Sequence, residues 1–158
     1  MKKTIKIFNV SLDNDFLSGD SDDVFFKDFR YLSADQKKAL AVFVEAASNG
    51  KALPGKNKES WLDDTLREIP DTAQYKHANY WHYHSGPSFG TSTSYSLTHN
   101  LDRNLFGLTS SEVIHYIKGN DEIVIVGFSP NHTPFPKSDV GVNPMFPECD
   151  SGADDEQS

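Results

Sequence analysis

Apolar residues recur along this chain with two different periods, and each change of period marks an element. Residues 4–12, TIKIFNVSL, set Ile5, Phe8 and Val10 among polar neighbours in imperfect alternation, which predicts a first strand. In SDDVFFKDFRYL, Phe25, Phe29 and Leu32 fall at i, i+4 and i+7, and the acidic Asp22 and Asp23 before them suit a helix N-terminus. SADQKKALAVFVEAASNG repeats the helical period. Ser33 and Gln36 match a capping box, Leu40, Phe43, Val44 and Ala47 make one stripe, and Asn49-Gly50 ends it. A helical pair over 21–48 is expected, each helix with one apolar face to bury.

The next stretch, KALPGKNKESWLDDTLREIPDTAQ, is polar and broken by Pro54, Gly55 and Pro70, with a short helical turn expected over 61–67. Three strand-like segments follow at 79–85, 111–118 (SEVIHYIK) and 122–128 (EIVIVGF). The last is a continuous Ile-Val run, the pattern of a central strand covered on both faces. Gly119-Asn120-Asp121 joins the latter two as a tight hairpin. Residues 86–110, rich in Ser, Thr and Gly, form a long loop insertion. The fold class predicted is α+β: an N-terminal strand, a helical hairpin, and a three-stranded antiparallel sheet packed on the helices. Such a layer buries one face of the sheet and leaves the other open. One domain over 1–136 and an acidic, flexible tail over 137–158 are expected.

Composition refines this picture. Eleven Phe, six Tyr and two Trp supply bulky core material for a chain of 158 residues. Formal net charge is −8, and Glu148, Asp150, Asp154, Asp155 and Glu156 carry five of those charges, leaving −3 for the body. That is not the profile of an autonomous nucleic-acid binder, which carries a basic patch. Cys149 is the only cysteine, so disulfide frameworks and cysteine-ligated zinc sites are excluded. Lys6, Asn9 and Asp13 interrupt any signal-peptide core, and no apolar run reaches membrane-spanning length. A soluble, cytoplasmic protein without a membrane partner is expected.

Candidate chemistry concentrates in ANYWHYHSGPS. Tyr80, His82 and His84 alternate with Trp81 and Tyr83, so a strand here places both histidines on one face. Trp81 and Tyr83 suffice to pack under the helices, which leaves the histidine face for chemistry, although a one-residue slip in register reverses the two faces. His115, between Val113 and Ile117, reads as a hydrogen-bonded core histidine; Tyr116 as half of a cross-strand aromatic pair, and Lys118 as a solvated strand end. His132 sits among prolines in a loop, where packing gives little reason for an imidazole.

The order of elements, together with NGKALPGKNKESW, YWHYHSGP and SSEVIHYIKGNDEIVIVGFSPNH, resembles the RelE/ParE superfamily of toxins from bacterial toxin–antitoxin modules. The resemblance spans roughly residues 1–136 and is mostly topological. It implies a ribosome-dependent mRNA endonuclease, or an inhibitor of DNA gyrase, held inactive by a cognate antitoxin protein. The nuclease chemistry is attack of a 2′-hydroxyl on the adjacent phosphate, which needs a base, cations for the developing charge and an acid, but no cofactor. By position, the resemblance implies His82 or His84 as base, Lys118 as charge stabiliser with Tyr116 beside it, and His132 as acid. Lys76, Arg103 and Lys137 are the basic residues implied for substrate binding. The acidic charge, the 86–110 loop and the long tail depart from the family pattern, so a basic ribosomal protein or an adaptor is a further candidate contact.

Two other readings use the same residues. His82 and His84, with His115 on a neighbouring strand, have the type of a three-histidine metal site for a hydrolase, with His99 and His132 as spare ligands. A non-catalytic inhibitor or phage- or plasmid-borne effector on the same scaffold fits the Ile-Val-rich strands and polar face equally.

Overall fold

Ser33 opens the longest helix by the exchange its sequence predicts. Its hydroxyl accepts from the Gln36 backbone N–H at 3.1 Å, and the Gln36 side chain accepts from the Ser33 N–H at 2.8 Å. The helix, α2 (Ala34–Asn49), ends at Gly50, whose φ of 69° lies in the left-handed region. Leu40, Phe43, Ala46 and Ala47 are its buried stripe. The chain is described here from a computed structural model covering residues 5–23, 25–132, 135–141 and 143–146. Thr4 and residues 147–158, with most of the acidic tail and Cys149, lie outside the described residues.

The architecture is α+β. β1 (Asn9–Leu12), β2 (Asn57–Glu59), β3 (Tyr80–His84), β4 (Val113–Lys118) and β5 (Glu122–Ser129) form one mixed sheet in the order β1-β5-β4-β3-β2. β1 pairs with β5 in parallel and the other pairs are antiparallel. The expected three-stranded meander is therefore the middle of a five-stranded sheet. The turn at Gly119 closes with its N–H donating to the Glu122 carbonyl at 2.8 Å.

A bulge in β5 explains the continuous Ile-Val run. His115 opposes Gly127, but Tyr116 opposes Ile125, so Val126 is the extra residue. The bulge lets Ile123, Ile125 and Phe128 all face α2, although three positions separate the last two. Val126 and Ile117 pack on the opposite side with Tyr75, Tyr80 and Phe146.

The predicted helical pair is not formed. Asp23 instead accepts from the backbone N–H groups of Phe25 and Phe26 at 2.9 and 2.7 Å, and Lys27 donates its backbone N–H to the Phe128 carbonyl. A carboxylate that closes a turn on its own backbone competes with helix formation, and here it wins. Only a single 3₁₀ turn, Phe29–Tyr31, and the short α1 (Asn14–Ser18) are helical in this region. The helical turn expected over 61–67 is likewise a chain of non-helical turns, and the helix lies later, at α3 (Ala73–Ala78).

The second face of the sheet is not open. Phe26 lies so close over Gly127 that a Cβ there would strike its ring, and the Phe135 ring packs tilted on that of His82, with centroids 4.7 Å apart. Asp139, Asn143 and Phe146, read from the sequence as tail, belong to this cover. Asp139 caps α3 through the N–H groups of Ala73 and Gln74, Asn143 donates to the Tyr75 hydroxyl, and Phe146 packs on Tyr75 and Tyr80. The 86–110 loop runs beside β2 instead of standing free. Its backbone pairs Thr98 with Leu53 and Asn104 with Asn57, which covers the sheet edge.

Candidate active site

Register decides which side chains meet. Trp81 and Tyr83 point into the core with Phe43, so Tyr80, His82 and His84 share the opposite face. His82 opposes Lys58 on β2 and His115 on β4, giving a row of Lys58, His82 and His115 across three strands. Lys56 and Ser60 flank Lys58 at spacings of two, and His132 enters from the segment after β5. Their rings gather closely: His84 and His132 are 4.8 Å apart in edge-to-face contact, His82 and His84 5.7 Å apart.

Each imidazole is held by one nitrogen. His82 Nδ1 meets the Ser60 hydroxyl at 3.0 Å, and His115 Nε2 meets the Ser129 hydroxyl at 2.7 Å. His84 Nδ1 lies 3.0 Å from the Ser110 carbonyl and 3.1 Å from the Ser110 N–H, one or other bonded according to the tautomer. His132 Nδ1 is 2.9 Å from the Ser111 carbonyl. A carbonyl only accepts, so this nitrogen donates, and in the neutral ring Nε2 then carries the lone pair. Among the described residues, Nε2 of His82, His84 and His132 has no hydrogen-bond partner.

Burial keeps three of these rings neutral. It pushes His84 down to about 4 and His115 to about 3, with the neighbouring His132 adding to both. His82 is lowered well below the usual histidine value, first by burial and then by His84 and His115. His82 and His84 are each only 4% exposed. With Lys56, Lys58, Ser60 and His132 they line a pocket of about 360 Å³. The two lysines share one counter-ion, Asp64, at 2.8 and 2.7 Å. Asp63 and Asp64 also belong to the lining, so the pocket offers an anion two ammonium groups only where it takes the place of Asp64, beside neutral imidazoles with free ring nitrogens that can accept a proton.

Not every expected residue arrives here. Tyr116 is on the α2 face, fully buried, with its hydroxyl donating to Asn57 Oδ1 at 2.6 Å. Lys118 is on that face too: its ammonium sits 4.1 Å over the Trp81 ring and donates to the Leu101 carbonyl. Strand alternation places both opposite the histidines, which corrects their expected membership of the cluster. Arg103 pairs with Glu59, whose partner Trp81 marks the same far face, and Lys76 pairs with Glu68 on the exposed side of α3. Lys137 follows Phe135 without lining the pocket, and His77 and His99 are exposed elsewhere. His115 joins the row but is sealed, with its Nδ1 buried and unpartnered. Among the described residues, no group of three or more His, Cys, Asp or Glu is arranged to hold a metal ion.

Lys56 and Lys58 are the residues sequence reasoning missed. Their signal was present: Lys56, Lys58 and Ser60 alternate in KNKES, a period-two pattern hidden in a segment read as linker. A larger cleft of about 540 Å³ lies elsewhere, rimmed by Asp13, Asp15 and Asp28, and its sign is wrong for an anion. No described helix is long and apolar enough to cross a membrane. Comparison with protein-family models, with curated proteins and with solved structures returns no match.

Proposed function

We propose that this chain is an endoribonuclease of RelE/ParE type, the toxin of a toxin–antitoxin pair acting in the cytoplasm on mRNA. The observation that carries the reading is the convergence of Lys56 and Lys58 with the free ring nitrogens of His84 and His132 in one pocket. The two ammonium groups bind the scissile phosphate and stabilise the charge that develops on it. His84, neutral at cellular pH, takes the 2′-hydroxyl proton; the approaching phosphate raises its basicity by offsetting the cost of a buried positive charge. His132 acts in its imidazolium form: with Nδ1–H held by the Ser111 carbonyl, it gives its Nε2 proton to the departing 5′-oxygen. The bond from the 2′-oxygen to phosphorus forms as that from phosphorus to the 5′-oxygen breaks, leaving a 2′,3′-cyclic phosphate and a 5′-hydroxyl. Two of the residues given roles here, Lys56 and Lys58, replace Lys118 and Tyr116 of the sequence-based expectation.

The net charge of −8 opposes capture of free RNA, so the reading requires the ribosome to present the RNA, with a basic ribosomal protein or an adaptor as the contact and a cognate antitoxin as the partner that blocks the pocket. The test is incubation of the purified protein with a defined mRNA, with and without ribosomes, followed by primer extension and analysis of the product termini. Cuts that require ribosomes and leave cyclic phosphate are expected. Growth arrest on expression with intact mRNA would instead favour the second reading, a gyrase-directed inhibitor, for which the acidic surface is the motivating observation.

A further inference from the structure

The lysine clamp is already occupied by part of its own chain. A single oxygen, Asp64 Oδ1, lies 2.8 Å from Lys56 Nζ and 2.7 Å from Lys58 Nζ. The lysine side chains are about nine-tenths buried, at 11% and 10% exposure, whereas the Asp64 side chain is 65% exposed. The cations are therefore built into the site, and the anion reaches them from outside. The two lysine hydrogen bonds hold the Asp64 carboxyl down at about 2, so it is charged throughout the physiological range.

The segment that presents Asp64 is organised within itself. Asp63, not Asp64, ties the turn: its Oδ1 accepts from the Thr65 N–H, the Thr65 hydroxyl and the Arg67 N–H at 2.7–3.0 Å. At the base, the Ile69 N–H donates to the Trp61 carbonyl at 2.9 Å. Asp64 contributes nothing to these internal bonds, so its carboxylate is spare for the lysines. The turn is thus held by its own hydrogen bonds, and its base is anchored by Trp61 and the buried Leu62, so the Asp64 carboxylate is the part placed to leave the lysines.

We propose that Asp64 stands in the position of a substrate phosphate oxygen, and that its carboxylate, on the 61–69 turn, is an anion gate which an incoming phosphate displaces from Lys56 and Lys58. Identifying the displaced-in group as an RNA phosphate rests on the nuclease reading; the phosphate subsite itself rests on the two buried ammoniums. A tethered carboxylate competes at an effective concentration in the millimolar range, and Asp64, 65% exposed, recovers hydration when it leaves the two buried ammoniums to an incoming anion. The gate thus lowers phosphate affinity only modestly, and a substrate anchored by further contacts opens it.

The experiment is titration of the full chain with inorganic phosphate, followed through the ring-nitrogen NMR signals of His84 and His132, in wild type, Asp64→Asn, Lys56→Ala/Lys58→Ala and Asp35→Asn. Asp35 is exposed in the first turn of α2 and controls for the change in net charge. Tightening by roughly threefold to tenfold in Asp64→Asn is expected, with no change in Asp35→Asn and no saturable binding in the lysine variant. Equal or weaker binding in Asp64→Asn overturns the gate, as does an equal gain in Asp35→Asn. Saturable binding without the lysines overturns the subsite. RNA cleavage is read in the same samples: tighter phosphate binding by an Asp64→Asn protein that cuts no RNA supports the gate and overturns the nuclease reading alone.

Discussion

Lys58 and His82 stand directly opposite one another on β2 and β3, so their side chains leave the same face of the sheet as neighbours. This pairing, and not the histidines alone, makes the pocket suited to an anion. The first prediction follows. Lys58→Ala lowers ribosome-dependent RNA cleavage by about 10²–10³-fold, the scale for removing one charge-stabilising donor. His84→Ala and His132→Ala lower it by about 10²–10⁴-fold. Thermal melts of the lysine variant should show a folded protein, because Asp64 is mostly exposed and keeps its pair with Lys56, so that only the packing of the buried Lys58 stem is lost. Cleavage at the wild-type rate in all three variants would place the chemistry elsewhere.

Tyr116 should behave in the opposite way. Its hydroxyl donates to Asn57 Oδ1 inside the core, while Asn57 Nδ2 donates to the carbonyls of Leu101 and Asp102. Tyr116→Phe therefore leaves a buried acceptor unpaired and costs about 1–3 kcal/mol of stability. Cleavage by the folded fraction should be unchanged. A selective loss of activity at full stability would restore the catalytic role first expected of it.

The contrast between these residues shows what was legible in the sequence. The α2 cap and the hairpin turn follow from local rules and local hydrogen bonds enforce them, whereas the alternation that puts His82 and His84 on one face of β3 is local but its register is held by β2 and β4. Tyr116 and Lys118 were misplaced because the sequence suggested their strand but not which of its faces met the histidines; that depends on pairing with a distant segment. The missing helix at 22–32 was lost to Asp23, whose carboxylate serves a turn as readily as a helix terminus. Likewise, the cover of the second face comes from Phe25 and Phe26 and from Phe135, Met145 and Phe146, whose contacts are long-range and carry no periodic signature.

Gly127 tests that cover. It opposes His115, and a Cβ added to it would meet the Phe26 ring. Gly127→Ala should destabilise the fold by about 1–3 kcal/mol, since an aromatic ring packed on the sheet must move. Phe26→Leu in the same chain should recover part of the loss by vacating the space. Denaturant midpoints of the three variants decide it, and additive losses in the double variant would mean that the two residues do not touch.

The buried imidazoles make stability depend on pH in a window of their own. His84 is pushed down to about 4 and His115 to about 3, and His82 is lowered as well, with burial the largest cause in each case. Unfolded, each titrates near 6.5, so between that value and the folded one the unfolded chain binds more protons than the folded chain. Their contribution is whole above about pH 6.5 and is lost as pH falls toward 4. Each group removes up to about 1.4 kcal/mol per pH unit within that window. Carboxylates lowered by their partners, such as Asp64, start to lose stability only at more acid pH, so the interval from 7 to 5 isolates the histidines. Going from pH 7 to pH 5 should therefore cost a few kcal/mol, read as a falling midpoint in urea. His82→Gln/His84→Gln keeps polar side chains of similar reach but removes two titrating groups, so its midpoint should fall less steeply over the same interval. Equal slopes in the two proteins would mean that these imidazoles charge freely in the folded state, and the neutral base assigned to His84 would then be lost with them.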